Sequence, residues 1–279
     1  MTTSRCLVLE TRFDSEPGRW LDRLLPSLRR LVEAVAPTWM FVCSPQGRVS
    51  RDRKVEWPTV EELAALSSTG SIRMREQEGS SLLTIDVYLR HNPAIELEFQ
   101  PPAAIWLGAE GTSEHLRGLL AACSDFLAFA ASVQDVLHGG ITVLDNLAQA
   151  ESEVTGTGTD VAKQPPRFVR RHDHDWRYPR RAWTVVRRLY WTTLLGPKLA
   201  SAAGGAAAAR AAGALSIQEI SGSLLFQAME GPPRDSLDPE FLAATTRLRR
   251  WLWPHTFKNP LDAAGFEAEV GLPIPGAPA

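Results

Sequence analysis

Residues 187–254 read RRLYWTTLLGPKLASAAGGAAAARAAGALSIQEISGSLLFQAMEGPPRDSLDPEFLAATTRLRRWLWP, and the reading of this stretch decides the fold. Leu189, Trp191, Leu194, Leu195 and Leu199 recur at helical spacing, which predicts one apolar helix face. Pro197 lies within that run, so the helix either starts near it or kinks there. Gly204-Gly205 is a natural stop, because glycine takes the left-handed conformation in which helices end. Leu215, Ile217 and Ile220, then Leu224, Leu225 and Phe226, flank Ser221-Gly222-Ser223, a β-hairpin pattern with its turn at Gly222. Gly231-Pro232-Pro233 ends the second strand. Asp238 has the chemistry of an N-cap, with Pro239 at the first helical position. Phe241, Thr245, Leu248 and Leu252 then form one stripe of a closing helix that Pro254 stops.

Upstream, the pattern is again mixed. Cys6–Thr11 reads as a first strand. Trp20, Leu24, Leu25, Leu28, Leu31, Val32 and Val35 make a helical stripe, interrupted by Pro26 and ended by Pro37. Trp39–Cys43 is a short apolar strand, and Ser44–Lys54 is polar and basic without a period. Thr59 followed by Glu62 has the capping-box spacing, so Thr59–Leu66 reads as helical. Ser71–Gln77 and Leu82–Arg90 flank Glu78-Gly79-Ser80 as a second hairpin. Ile95–Phe99 and Ala104–Leu107 read as further strands. Leu116, Leu119, Leu120, Cys123, Phe126, Leu127, Ala130, Val133 and Leu137 predict one long helix over Thr112–Leu137, about 39 Å at 1.5 Å per residue. Gly139-Gly140 ends it, and Ile141–Ala150 fits a strand or a continued helix.

The whole is an α+β chain, a mixed or antiparallel sheet with long packing helices in one or two lobes. Glu151–Pro166, ESEVTGTGTDVAKQPP, is poor in apolar residues and reads as a linker or a long surface loop. The expected organisation is one domain over 1–260, with lobes at 1–150 and 167–260 joined by 151–166. A Pro/Gly/Ala-rich tail follows at 261–279.

Bulk properties narrow the function. The 279 residues, 44% hydrophobic, suffice for a large core, and a net charge of −2 gives no global field toward nucleic acid or acidic membrane. No run of about 18 apolar residues is present, and the opening segment lacks a signal-peptide pattern, so a cytoplasmic location is expected. Cys6, Cys43 and Cys123 sit far apart in apolar surroundings and read as buried thiols. There is no G-x-S-x-G elbow, P-loop, HExxH or paired CxxC, so no catalytic residue, metal site or cofactor is assigned.

One segment has the composition of a site: RRHDHDWRYPRR at 170–181. His172 and His174 would share a face if extended, but a closed metal site needs more ligands. Arginines at 167, 170, 171, 177, 180, 181, 187 and 188 interleave with Trp176, Tyr178 and Trp183. That mixture serves protein interface anchors as well as single-stranded nucleic acid. The slightly acidic chain favours a protein-facing or solvated surface. A metal-binding enzyme, or a nucleic-acid-associated protein using 167–188, is the alternative.

The order of features in the C-terminal half resembles the type VI secretion immunity protein family, inhibitors of toxins delivered between competing bacteria. The residues that carry the resemblance are Trp191 with Leu195-Gly196, Gly204-Gly205, the hairpin Leu215–Met229, Gly231-Pro232 and the helix to Pro254. His138-Gly139-Gly140 and the N-terminal strand–helix start follow the same layout. Ala203 stands where that pattern has leucine. A related immunity group of polymorphic toxin systems fits nearly as well. The resemblance implies a non-enzymatic protein without cofactor that binds and neutralises one cognate toxin effector. It implies no nucleic-acid or membrane partner and leaves a homodimer open. Trp176, Arg177, Tyr178, Arg180 and Arg181 are the residues expected to face the toxin. Trp191, Gly196, Gly204 and Gly205 are expected to be fold determinants.

Overall fold

The first strand sets the frame, because its alternation sorts side chains onto two different environments. The computed structural model describes residues 5–14, 20–35, 39–43, 53–54, 71–75, 86–89, 103–111, 113–144, 189–234 and 238–255. Strand β1 (Arg5–Phe13) turns Leu7, Leu9, Thr11 and Phe13 to one face and Cys6, Val8, Glu10 and Arg12 to the other. Leu7, Leu9 and Phe13 enter the main core with α1 (Leu21–Val35) and α2 (Ser113–Ala131). Leu24, Leu28 and Leu31 of α1 and Leu119, Cys123, Phe126 and Ala130 of α2 are buried there. Phe13 stacks on Trp20 with ring centroids 3.8 Å apart. Burial raises the Cys123 thiol pKa well above the ordinary range, so it stays neutral and packs as a small apolar group.

The remaining strands are β2 (Trp39–Cys43), β3 (Arg53–Lys54), β4 (Ser71–Arg75), β5 (Asp86–Leu89), β6 (Ala103–Gly111), β7 (Val136–Leu144), β8 (Thr192–Leu195), β9 (Leu215–Ile220) and β10 (Ser223–Gln227). They form one ten-stranded sheet in the order β3-β2-β4-β5-β6-β1-β7-β8-β10-β9. Each pairing is antiparallel. The fold is therefore α+β with an antiparallel sheet. Through the β7–β8 pairing, strands before residue 145 and after residue 191 share that sheet. The expected hairpin at 71–90 pairs as β4 with β5. The Thr59–Leu66 helix, the Ile95–Phe99 strand, the 151–166 connector and the 261–279 tail lie outside the described residues.

Two helical expectations are corrected. The long helix stops at Ala131, 19 residues or about 28 Å, and Val136–Leu144 is a strand. Val133 and Leu137 keep the helical phase by coincidence; both are buried, at the turn and in β7. Residues 192–195 are likewise a strand, whose four side chains are all buried. The apolar run that mimicked a helix face is a strand covered on both sides. Of the two readings of Pro197, the structure takes the first: the helix starts there, as α3 (Pro197–Ala202). After the left-handed Gly204, with φ 85°, follows α4 (Gly205–Ala211).

The hairpin and closing helix follow local chemistry closely. Ser221 (φ 51°) and Gly222 (φ 87°) are both left-handed, the signature of a type I′ turn, which matches the twist of a two-residue hairpin. Gln134 Nε2 donates to the Ser221 carbonyl at 3.0 Å and pins that turn. Helix α5 (Pro239–Leu252) is capped by Asp238, whose Oδ1 accepts from the Glu240 N–H at 3.0 Å. Phe226 of β10 meets Trp251 of α5 at 5.6 Å, and Trp251 Nε1 donates to the Ala203 carbonyl at 2.8 Å. Phe226 pairs with Thr193, and Thr193 with Gly140, so α5 packs on the face opposite α1 and α2.

Two outcomes follow. Ser221→Asn installs the Asn-Gly pair that type I′ turns favour and raises stability by about 0.5 kcal/mol in urea unfolding. Asp238 has its carboxyl held down to about 2 from 3.8, chiefly by the Arg234 N–H, then by the Arg234 side chain and the Glu240 N–H. A folded-state pKa below the unfolded one stabilises above the unfolded value, and that stabilisation is lost as pH falls from 3.8 through about 2. In acid titrations followed by circular dichroism, Asp238→Asn is therefore less stable than the parent at neutral pH, and the gap closes across that window.

Candidate functional site

The densest polar grouping among the described side chains lies on the sheet face opposite α1 and α2. Glu10 and Arg12 are two residues apart in β1, so both point to that face. In the register with β7, Arg12 stands opposite His138 and Glu10 opposite Gly140. His138 is 1% exposed and Glu10 9% exposed. Across the next pairing Gly140 stands opposite Thr193 of β8.

Tyr190 completes the group from just ahead of β8. Its ring lies on Gly140: a Cβ added there would come within 2.3 Å of Tyr190 Cγ and 2.5 Å of the Thr192 carbonyl oxygen. Only hydrogen at residue 140 leaves room for the phenol. The Tyr190 hydroxyl donates to Glu10 Oε2, and Arg12 Nε donates to Glu10 Oε1. A guanidinium nitrogen of Arg12 also makes an ion pair with Oε1. The Thr193 hydroxyl accepts from the Tyr190 N–H and donates to the Tyr190 carbonyl, each at 3.1 Å. Trp191 Nε1 donates to the Met229 carbonyl at 3.0 Å, and the Ala228 N–H to the Trp191 carbonyl at 2.7 Å. Residues 190 and 191 are thus tied to β1 on one side and to the end of β10 on the other.

The chemistry of this arrangement is that of a clamp. A buried carboxylate is tolerated when it is paired and hydrogen-bonded, and both oxygens of Glu10 are engaged. The group joins β1, β7 and the entry to β8 through side chains as well as backbone. Among the described residues, no three His, Cys, Asp or Glu side chains converge as a metal site. No helix among them is long and apolar enough to cross a membrane.

Trp176, Arg177, Tyr178, Arg180 and Arg181, together with His172 and His174, lie outside the described residues. Of the expected fold determinants, Trp191 and Gly196 are buried, and Gly204 and Gly205 carry positive φ at the break between α3 and α4. Sequence reasoning missed Glu10, Arg12, His138 and Tyr190 as a group. A signal existed in β1: Glu10 and Arg12 are charges of opposite sign with strand spacing inside an apolar strand, which is how a buried ion pair is written. The Gly139-Gly140 pair reads as a helix end, and Tyr190 falls outside the apolar stripe that marks its neighbours.

No protein-family model matches the chain, and no curated protein matches it in sequence. The fold is similar to that of a solved Pseudomonas aeruginosa T6SS protein, with a TM-score of 0.57 and 14% identity, covering 92% of this chain and 75% of that one. At this identity the likeness is one of fold.

Removing one partner of the clamp leaves a buried acceptor short of a donor. Tyr190→Phe therefore costs about 1–3 kcal/mol of unfolding free energy. Much of that loss disappears when Glu10 is already Leu, which offers the phenol no acceptor, so a double-mutant cycle returns a clear coupling. Gly140→Ala costs at least as much as ordinary overpacking, about 1–3 kcal/mol.

Proposed function

We propose that this chain is an immunity protein. It binds and neutralises a cognate toxin effector of a type VI secretion-like system of interbacterial competition, without catalysing a reaction. The observation that carries the reading is the fold likeness, over nine-tenths of the chain, to a protein of the Pseudomonas aeruginosa T6SS. The order of Trp191, Leu195-Gly196, Gly204-Gly205, the 215–229 hairpin and Gly231-Pro232 supports it from an independent direction, as the layout of the immunity family.

The physical picture is a rigid scaffold that occludes the toxin's active site or substrate path. A broad antiparallel sheet with helices on both faces loses little conformational freedom on binding, which favours tight association. Trp176, Arg177, Tyr178, Arg180 and Arg181 supply the anchors in this reading, since aromatic and arginine side chains dominate interface energetics. Their charge would act mainly on association rate and partner choice.

The test pairs the full chain with the product of the adjacent gene. Co-expression yields a complex that survives size-exclusion chromatography, and cells poisoned by the neighbour resume growth when this chain is present. Replacing Trp176, Arg177, Tyr178, Arg180 and Arg181 together by alanine removes the rescue while leaving the melting temperature of the isolated chain within a few degrees of the parent. Absence of both complex and rescue with the unaltered chain would remove the reading.

A further inference from the structure

The sheet ends, among the described strands, at β9, and the burial changes abruptly there. All four side chains of β8 are buried, and four of five in β10. In β9 none is buried; Leu215, Ser216, Gln218 and Glu219 are exposed and Ile217 and Ile220 half-exposed. The six residues, Leu-Ser-Ile-Gln-Glu-Ile, include three β-favouring aliphatics and neither lysine nor proline, the residues that commonly protect an edge. The protection present is local: Ser216 sits at a register shift with φ 47°. Residues 218–220 beyond it pair regularly with Ser223–Leu225.

The type I′ turn fixes which backbone groups of this edge face outward. Ile220 and Ser223 close the two-residue turn as a hydrogen-bonded pair. Alternation then directs the Gln218 backbone groups to β10 and those of Glu219 away from the sheet, and the Ile217 carbonyl, opposite the Gln218 N–H across their shared trans peptide, faces away as well. The edge is also held in place. Gln134 pins the turn carbonyl, and Glu219 Oε1 accepts from the Ala206 N–H at 3.3 Å. A preorganised row of outward N–H and C=O groups is complemented by an extended strand and by little else.

We propose that the strand that fits is β9 of a second copy of this chain, paired antiparallel about a two-fold axis through Gln218. In this register Ile217 opposes Glu219 of the other copy twice, and each Glu219 N–H donates to the Ile217 carbonyl across the axis. Gln218 faces its own counterpart, and two side-chain amides can donate to and accept from each other. The neighbouring symmetric registers are worse. Centring on Glu219 sets two carboxylates directly opposite, which is destabilising, and centring on Ile217 brings the Ser216 irregularity into the pairing. The pair around Gln218 is of the non-hydrogen-bonded kind, with Cα atoms about 4.5 Å apart, a separation that a disulfide spans.

The experiment uses the full chain in sedimentation equilibrium over about a hundredfold range of concentration, because a two-fold dimer follows mass action. The expected result is a reversible monomer–dimer equilibrium. Gln218→Lys, which sets two ammonium groups against each other at the axis, weakens it about tenfold or more at unchanged melting temperature. Under mild oxidation Gln218→Cys gives a covalent dimer, while Glu219→Cys, whose counterpart lies diagonally across, gives far less. A chain that stays monomeric and does not cross-link through Gln218→Cys overturns the assignment. So does a dimer indifferent to Gln218→Lys, which would place the contact elsewhere.

Discussion

The contact on which the molecule depends is the Tyr190 ring lying on Gly140 with its hydroxyl on Glu10. It sits where two distant parts of the chain meet in one sheet. Backbone pairing of β7 with β8 spans only four residue pairs, from His138–Leu195 to Ile141–Thr192. Four pairs of backbone contacts carry a modest net gain, because each replaces hydrogen bonds to water. The clamp adds a directional, buried interaction at that seam. Glycine at 140 is a condition of it, since a side chain there would occupy the space of the phenol.

The same seam explains why the core continues on both faces. On the α1–α2 side, Leu194 and Leu225 extend the surface made by Leu9 and Ile141. On the other side Leu195, Leu224 and Phe226 meet α3–α5, with Trp251 against Phe226. Each buried leucine of this kind stabilises by roughly 1.5–3 kcal/mol relative to exposure. β8 and β10 are therefore central strands energetically, although one is four and the other five residues long. β9, one strand further out, has lost that cover.

Where local chemistry decides structure, the sequence was legible. Ser221-Gly222 between two aliphatic runs specified the turn, Asp238-Pro239 the start of α5, and the Trp20–Val35 stripe the helix α1 despite Pro26. Where tertiary cover decides, it was not. Thr192–Leu195 is buried on both faces, so it lacks the alternation that marks a half-exposed strand, and its leucines fall in phase with Leu199 of the next helix. Val133 and Leu137 continue the α2 phase past its real end, and Gly139-Gly140 resembled a helix stop although each sits inside β7 against a close neighbour. The clamp escaped for the same reason. Its members come from residues 10, 12, 140 and 190, and only the β1–β7 register brings the first three together.

The asymmetry of the sheet bears on what such a scaffold is for. A chain that needed only to be stable could have ended its sheet with a lysine- or proline-bearing strand, the usual guard against unwanted pairing. This one ends with a strand of three aliphatic and three polar residues, the exposed Glu219 its one charge, held by a tight turn, by Gln134 and by the Glu219 contact with Ala206. Fixing an exposed edge costs conformational entropy in the unbound chain, a cost already met before anything pairs with that edge. Burial falls from β8 and β10 to β9 while local order is kept, and that combination marks an ordered rim rather than a frayed one. Rigid interior, clamped seam and ordered rim are three consequences of one arrangement, in which the chain's stability is concentrated one strand inside the surface it presents.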